Sequence, residues 1–188
     1  HYQTKPEAAD FEEVIRLEDV TVAYGKKVVL RNLNWVVSPG DKWVISGNNG
    51  SGKSTLLSLI YADHPQAYAN RIHLFGHRRG RGESIWDVKR RIGFTSPELH
   101  AFFDGGLSAR DVILSGLNDT FRPPKSIPTT QLELLEALLQ FSELAIWSAK
   151  PFRQFSTGEQ RLLLLLRALI KAPPVLLLDE PFQGLDVR

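Results

Sequence analysis

Hydrophobic and polar positions divide the chain into segments of different period. Val14 to Val22 and Val28 to Val37 have the pattern of strands in a small antiparallel sheet. A turn at Pro39-Gly40 leads to a short apolar strand, Trp43-Val44-Ile45, and Leu56, Leu57 and Ile60 mark the helix that follows. Arg71 to Phe75 is a further strand. Ser108 and Thr130 each open an S/T-x-x-D/E capping box, predicting helices over about 109–116 and 131–141. Between them, Asn118 to Thr129 holds three prolines and reads as a loop. Residues 98–154 then form a helical insert within a domain over 14–188, preceded by a polar, unpatterned linker or frayed end at 1–13.

Two apolar runs near the other end differ in kind. Arg161 to Lys171 contains Leu162-Leu163-Leu164-Leu165-Leu166 and is apolar on every side, which predicts a largely buried helix. Ser156 caps that helix, with Glu159 placed to reach back. Val175 to Leu178 is wholly apolar, with proline before it and acid after it. It reads as a strand buried on both faces of a parallel sheet.

The candidate chemistry lies between these elements. Gly47-Asn48-Asn49-Gly50-Ser51-Gly52-Lys53-Ser54 fits G-x-x-x-x-G-K-[ST] at every fixed position, after a predicted strand and before a predicted helix. Its glycines let N–H groups turn inward around an anion, and the helix N-terminus adds partial positive charge. Lys53 is then expected on the β- and γ-phosphates and the Ser54 hydroxyl on Mg²⁺; Thr55 is a further candidate nucleotide contact. A glycine turn with one solvated lysine is the plainer alternative, and the flanking elements argue against it. Asp179, at the expected ligand edge of the sheet, is placed to hold Mg²⁺, and Glu180 to polarise an attacking water. A buried helix that exposes only its start, Ser156-Thr157-Gly158-Glu159, presents backbone dipoles to an anion.

In this order the segments resemble the ATP-binding cassette (ABC) ATPase domain over nearly the whole chain. Gly47 to Ser54 is similar to the Walker A loop, Phe155 to Glu159 to the signature motif, and Val175 to Glu180 to Walker B. Gln183-Gly184-Leu185-Asp186 is similar to the D-loop, and Tyr24 stands where the family carries an aromatic that stacks on adenine. The resemblance implies an α/β P-loop NTPase fold of ABC type. It would have a mostly parallel core sheet, an antiparallel β subdomain and a helical insert, with the C-terminal part missing. It also implies ATP and Mg²⁺ as cofactors, Glu180 and Lys53 as catalytic residues, and ATP hydrolysis. Two cassettes would pair head to tail, in one polypeptide or as a homodimer, the signature of one closing over ATP held by the other. A membrane permease would be a further partner. Ser54 to Leu59, Asp63-His64-Pro65-Gln66, Leu74-Phe75-Gly76 and Ile85-Trp86-Asp87 more closely resemble the second cassette of ModF-type tandem proteins, named for molybdate transport. The two implied roles are a transport-associated ATPase and a soluble tandem cassette acting on nucleic acid or the ribosome.

Some positions depart from the family pattern. Where a transporter cassette has a glutamine that touches Mg²⁺ and water, this chain has Pro97 and then Glu98. Proline brings no side-chain donor or acceptor, so either Glu98 substitutes or the metal relies on Ser54 and Asp179. Thr157 replaces a signature glycine and resists left-handed backbone angles. His1, His64, His73, His77 and His100 all precede Walker B, so none matches the family's switch histidine.

Composition narrows the setting. With 188 residues, 43% hydrophobic, and a net charge of +2, the chain suits one soluble domain. No apolar run approaches the ~18 residues of a membrane span, and the absence of cysteine excludes disulfides and thiol chemistry. The cytoplasm is the expected compartment, peripheral on the inner membrane face where a permease is present. The lack of methionine and an end inside a motif lead us to expect a fragment, nearly inactive alone. The basic segment His77-Arg78-Arg79-Gly80-Arg81, with Lys89-Arg90-Arg91, reads as a solvated hairpin and helix face in preference to a nucleic-acid contact. Phe102-Phe103 fits equally a docking surface for a permease helix or core beneath the insert.

Overall fold

Strand β1 (Ile15–Tyr24) buries Ile15 and Leu17 and then Val20 and Val22, two pairs of opposite parity. An inserted residue reconciles them. Asp19 takes a left-handed φ of 50°, and the register against β2 (Lys27–Val37) shifts between Leu17 and Val20. Such a bulge returns the following side chains to the core face, where a plain strand would have turned them to solvent. The freed Asp19 N–H donates to Asn34 Oδ1 at 2.8 Å.

The computed structural model describes residues 11–61, 63–103 and 106–181, in two compact units divided between Lys89 and Arg90. In the first unit, β1 and β2 join β3 (Arg71–Leu74) and β4 (His77–Arg78) in an antiparallel sheet of order β2-β1-β3-β4. Helix α1 (Lys53–Ile60) buries Leu56, Leu57, Leu59 and Ile60. β3 pairs with β1 only as far as Glu18. Beyond that point two side-chain amides take over the strand edge. Asn70 accepts the Thr21 N–H at 2.9 Å and donates to Thr21 O at 3.1 Å; Gln66 accepts the Ala23 N–H at 3.3 Å and donates to Ala23 O at 2.8 Å. Polar groups that a missing strand would have satisfied are thus paired.

Two expectations fail in this unit. Trp43-Val44-Ile45 is not a strand: no described strand pairs with it, and Val44 is 92% exposed. An apolar triplet without a neighbouring ladder has nothing to fix its backbone. The basic hairpin is not uniformly solvated either. Arg79 is buried, 3.6 Å from Glu83 and over the Tyr68 ring at 5.5 Å.

Helix α2 (Ile85–Arg90) carries the chain into the second unit, where β5 (Ile92–Thr95) pairs in parallel with β6 (Val175–Leu178), from Ile92 opposite Val175 to Thr95 opposite Leu178. Between Pro97 and Gln154 the named elements are helical, chiefly α3 (Ala109–Leu114) and α4 (Thr129–Phe141). Ser108 caps α3 as expected, accepting the Asp111 N–H at 3.1 Å. Thr130 does not cap α4, which starts at Thr129 after Pro128; its hydroxyl instead donates to Gln131 Oε1 at 2.7 Å. Helix α5 (Thr157–Leu169) buries Leu163, Leu164, Leu166 and Ala168 against a core that includes Val112, Ile113, Leu135 and Leu139. Phe102 and Phe103 divide the two roles open to them: Phe103 is buried in this core and Phe102 is 63% exposed.

Gly93 sets how closely α5 lies on β5. A Cβ there would come within 2.3 Å of Ala168 O, so no larger residue fits without moving the helix. β6 is less covered than its apolar run predicts. Leu177 is buried, but Leu176 and Leu178 remain 38% and 36% exposed, because β5 is its one strand partner among the described residues.

Candidate nucleotide-binding site

The glycine loop and α1 lie in the first unit. The chain tightens from Gly47 to Ser51, whose N–H donates to Asn48 O at 3.1 Å, and Gly50 and Gly52 take left-handed φ values of 78° and 100°. Gly52 is required twice over. Its φ disfavours other residues, and a Cβ there would meet Val29 Cγ1 at 2.9 Å and Leu30 Cδ2 at 3.0 Å. Val29 is the extra residue of the last of three register shifts along the ladder, between the pairs Val22–Leu30 and Ala23–Val28, so the β1–β2 hairpin backs the loop. Lys53 folds over the loop, its Nζ donating to Gly47 O at 2.7 Å and Asn48 O at 3.1 Å. No side chain caps α1 at Gly52 or α4 at Pro128, whereas Ser108 and Ser156 cap α3 and α5. Ser54 is exposed and Thr55 half-buried on the first turn. Tyr24, at the end of β1 in the same unit, is 53% exposed.

The two acids follow β6 in the second unit. The Asp179 N–H donates to Thr95 O at 3.0 Å, continuing the ladder by one residue, and the Asp179 side chain is buried. Glu180 is exposed and takes a left-handed φ of 44°, a conformation that costs a non-glycine residue energy. A small cleft beside it is lined by Thr95, Ser96, Pro97, His100, Arg161 and Glu180 among others. Glu98, one candidate for the missing glutamine, is not among the lining residues.

The predicted cap on α5 is complete. Ser156 Oγ accepts the Glu159 N–H at 3.3 Å, while the Glu159 carboxylate accepts the Ser156 N–H at 2.7 Å and its hydroxyl at 2.8 Å. The Ser156 N–H, then the Ser156 hydroxyl, hold the Glu159 carboxyl below its ordinary value against a smaller opposing effect of burial. Because the folded value is the lower one, this stabilisation is present above the ordinary carboxylate range and disappears as pH falls through the lowered value. Ser156 and Thr157 are exposed. Thr157 opens the helix with no positive φ, so the strain expected of a residue replacing glycine does not arise. Gln160 braces the preceding turn, donating to Phe152 O at 2.9 Å and Phe155 O at 3.1 Å.

Of the predicted site residues, Asp186 and its neighbours Gln183 to Leu185 lie outside the described residues. The loop residues Gly47 to Ser54 come together with Tyr24's hairpin in one unit, and Ser156 to Glu159 with Asp179 and Glu180 in the other. Sequence reasoning missed His100 and Arg161 at the Glu180 cleft, and His64, Gln66 and Asn70 at the edge of β1. A polar residue directly before Pro65, a helix-starting pattern, was the available signal for the last group.

A model of the ABC transporter family matches residues 30–183. The chain belongs to that family. This cassette is 46% identical over 173 residues to the ABC transporter ATP-binding protein ModF of Escherichia coli, an alignment spanning 92% of the chain and 35% of ModF. An uncharacterized ABC transporter ATP-binding protein of Schizosaccharomyces pombe is 38% identical over 177 residues, spanning 93% of the chain and 36% of the relative. The chain thus spans about a third of the length of each. In fold, the cassette matches the ADP conformation of MJ1267, an ATP-binding cassette of an ABC transporter, with a TM-score of 0.71 at 24% identity over 94% of the chain and 72% of that structure. The fold is accordingly the α/β P-loop fold of ABC cassettes. No helix among the described residues is long and apolar enough to cross a membrane.

Proposed function

We propose that this cassette binds Mg·ATP and hydrolyses it while paired head to tail with a second cassette. The observation that carries this reading is the uncapped start of α1. A glycine loop leads into a helix whose first N–H groups have no side-chain acceptor, with the Lys53 ammonium held against the loop carbonyls by 2.7 and 3.1 Å contacts. A phosphate chain supplies the acceptors such a helix end lacks and gives Lys53 a stronger partner than two carbonyls. Ser54 and Asp179 offer hydroxyl and carboxylate oxygens, a donor set suited to Mg²⁺. No cluster of three or more His, Cys, Asp or Glu among the described residues could hold a metal. Phosphate oxygens and water are the usual further ligands of Mg²⁺. Bound there, Mg²⁺ supplies charge neutralisation on the transferring phosphate. Glu180 takes the role of the base that orients water, Tyr24 that of the adenine platform, and exposed Ser156 and Thr157 that of donors to ATP held by the partner.

The ModF likeness favours a transport-associated role, with molybdate as the cargo to test first and a cytoplasmic location at the membrane face. One feature favours a second reading, a soluble tandem cassette working without a permease: Pro97 occupies the position through which a transporter cassette couples to its membrane partner.

The Lys53→Ala variant tests the core of the proposal. Calorimetry on the folded variant should show ATP binding abolished, with secondary structure and melting behaviour retained. Undiminished ATP affinity would exclude the loop as the phosphate site.

A further inference from the structure

Tyr24 closes β1 with its ring half exposed and its hydroxyl engaged. Tyr24 Oη lies 2.8 Å from His64 Nε2, and the two rings meet edge to face at 5.8 Å. His64 is itself buried, and its Nδ1 accepts the Gln66 N–H at 3.2 Å, capping the short 3-10 turn Pro65–Ala67. A ring nitrogen that accepts an N–H carries no proton, so the neutral imidazole holds its hydrogen on Nε2. The Nε2–H therefore donates to Tyr24 Oη, and the phenolic proton is directed elsewhere.

The turn that carries His64 is fixed to the same strand. Gln66 pairs with both backbone groups of Ala23, Asn70 pairs with both of Thr21, and Asn70 Nδ2 also donates to Gln66 O at 2.9 Å. Side chains of 64–70 thus hold Thr21, Ala23 and Tyr24, alternate and then final residues of β1. The hairpin that ends in Tyr24 is also the one whose residues Val29 and Leu30 back Gly52. One hairpin therefore carries the tyrosine and supports the phosphate loop.

We propose that His64 is a positioning residue for the nucleotide base: it fixes the Tyr24 ring in the orientation that receives adenine. The inference rests on the reading of Tyr24 as the adenine platform. A side chain immobilised before its ligand arrives has little freedom left to lose on binding, so a pre-set ring raises affinity for the base without touching it. Gln66 and Asn70 hold the backbone, and His64 holds the ring.

The test separates cap from clamp. His64→Asn keeps an acceptor for the Gln66 N–H, since asparagine is among the best N-caps, but is too short to reach Tyr24 Oη. Tyr24→Phe removes the same hydrogen bond from its other end and keeps the ring. Binding of ATP and of inorganic tripolyphosphate, which has no base, is measured by calorimetry on the full-length protein. Each single variant should lose about 3–10-fold in ATP affinity, the worth of one hydrogen bond, with tripolyphosphate affinity unchanged. The double variant should lose no more than either single one. Wild-type ATP affinity in Tyr24→Phe, additive losses in the double variant, or equal losses toward ATP and tripolyphosphate would each overturn the role given to His64. A Tyr24→Ala control distinguishes the two levels. Weakened ATP binding there beside wild-type binding in His64→Asn overturns the clamp alone, whereas wild-type binding in Tyr24→Ala removes the platform and the clamp together.

Discussion

Glu98 and His100 share one 3-10 segment, Pro97–Phe102, yet only His100 borders the cleft beside Glu180. The sequence offered Glu98 as the acid nearest the missing glutamine, because an acid is what a metal site advertises. Its place on a tight turn, set by Pro97, could not be read without coordinates. The expected outcome for Glu98→Ala is accordingly an unchanged Mg²⁺ requirement for ATP turnover, checked by a Mg²⁺ titration of the full-length protein. A rise in the Mg²⁺ needed for half-maximal rate would return Glu98 to the metal. The loop from Gly47 to Ser54 and the Ser156–Glu159 box were legible because each works through its own backbone and immediate neighbours. His64 was not. Its role depends on Tyr24, forty positions away, and no local pattern encodes that pairing.

Elements were legible where their stabilising contacts are local and obscure where a partner supplies them. The capped helices α3 and α5 and the strands of the antiparallel sheet lie close to their expected spans. Trp43–Ile45 and the exposed flanks of β6 differ because a strand is only as ordered as the edge beside it. The contact between α5 and β5 is exacting, as is the approach of Gly116 to Arg167 O in the same unit. Gly93→Ala would drive a methyl group to within 2.3 Å of Ala168 O, an atom of helix backbone that cannot swing aside. The expected loss of stability is on the order of 1–3 kcal/mol, read as a lower urea midpoint with an unchanged slope. A wild-type midpoint would mean that α5 and β5 do not need a bare Cα at this contact.

For the molecule as a whole, the proposed pairing is what the exposed start of α5 would serve. Glu180→Gln should bind ATP normally and turn it over about 10²–10⁴-fold more slowly, the usual worth of general-base assistance. The ATP-bound pair should then accumulate. Hydrogen exchange at Thr157 and Gly158 reports this whether the second cassette is a separate copy or part of one polypeptide. Protection should rise with ATP and fall with ADP; no change with ATP would argue against closure over this helix start. The same residue links chemistry to heat resistance through one torsion. Glu180 sits at φ 44°, where a side chain costs about 1–2 kcal/mol and glycine gives back part of the gain through its freer unfolded chain. Glu180→Gly should therefore melt higher, by about 2–4 °C for a net gain near 1 kcal/mol, while Glu180→Gln keeps the original melting point. A library of variants selected only for surviving heat would drift toward glycine at this position and, if Glu180 has the role proposed for it, fall silent in ATP turnover.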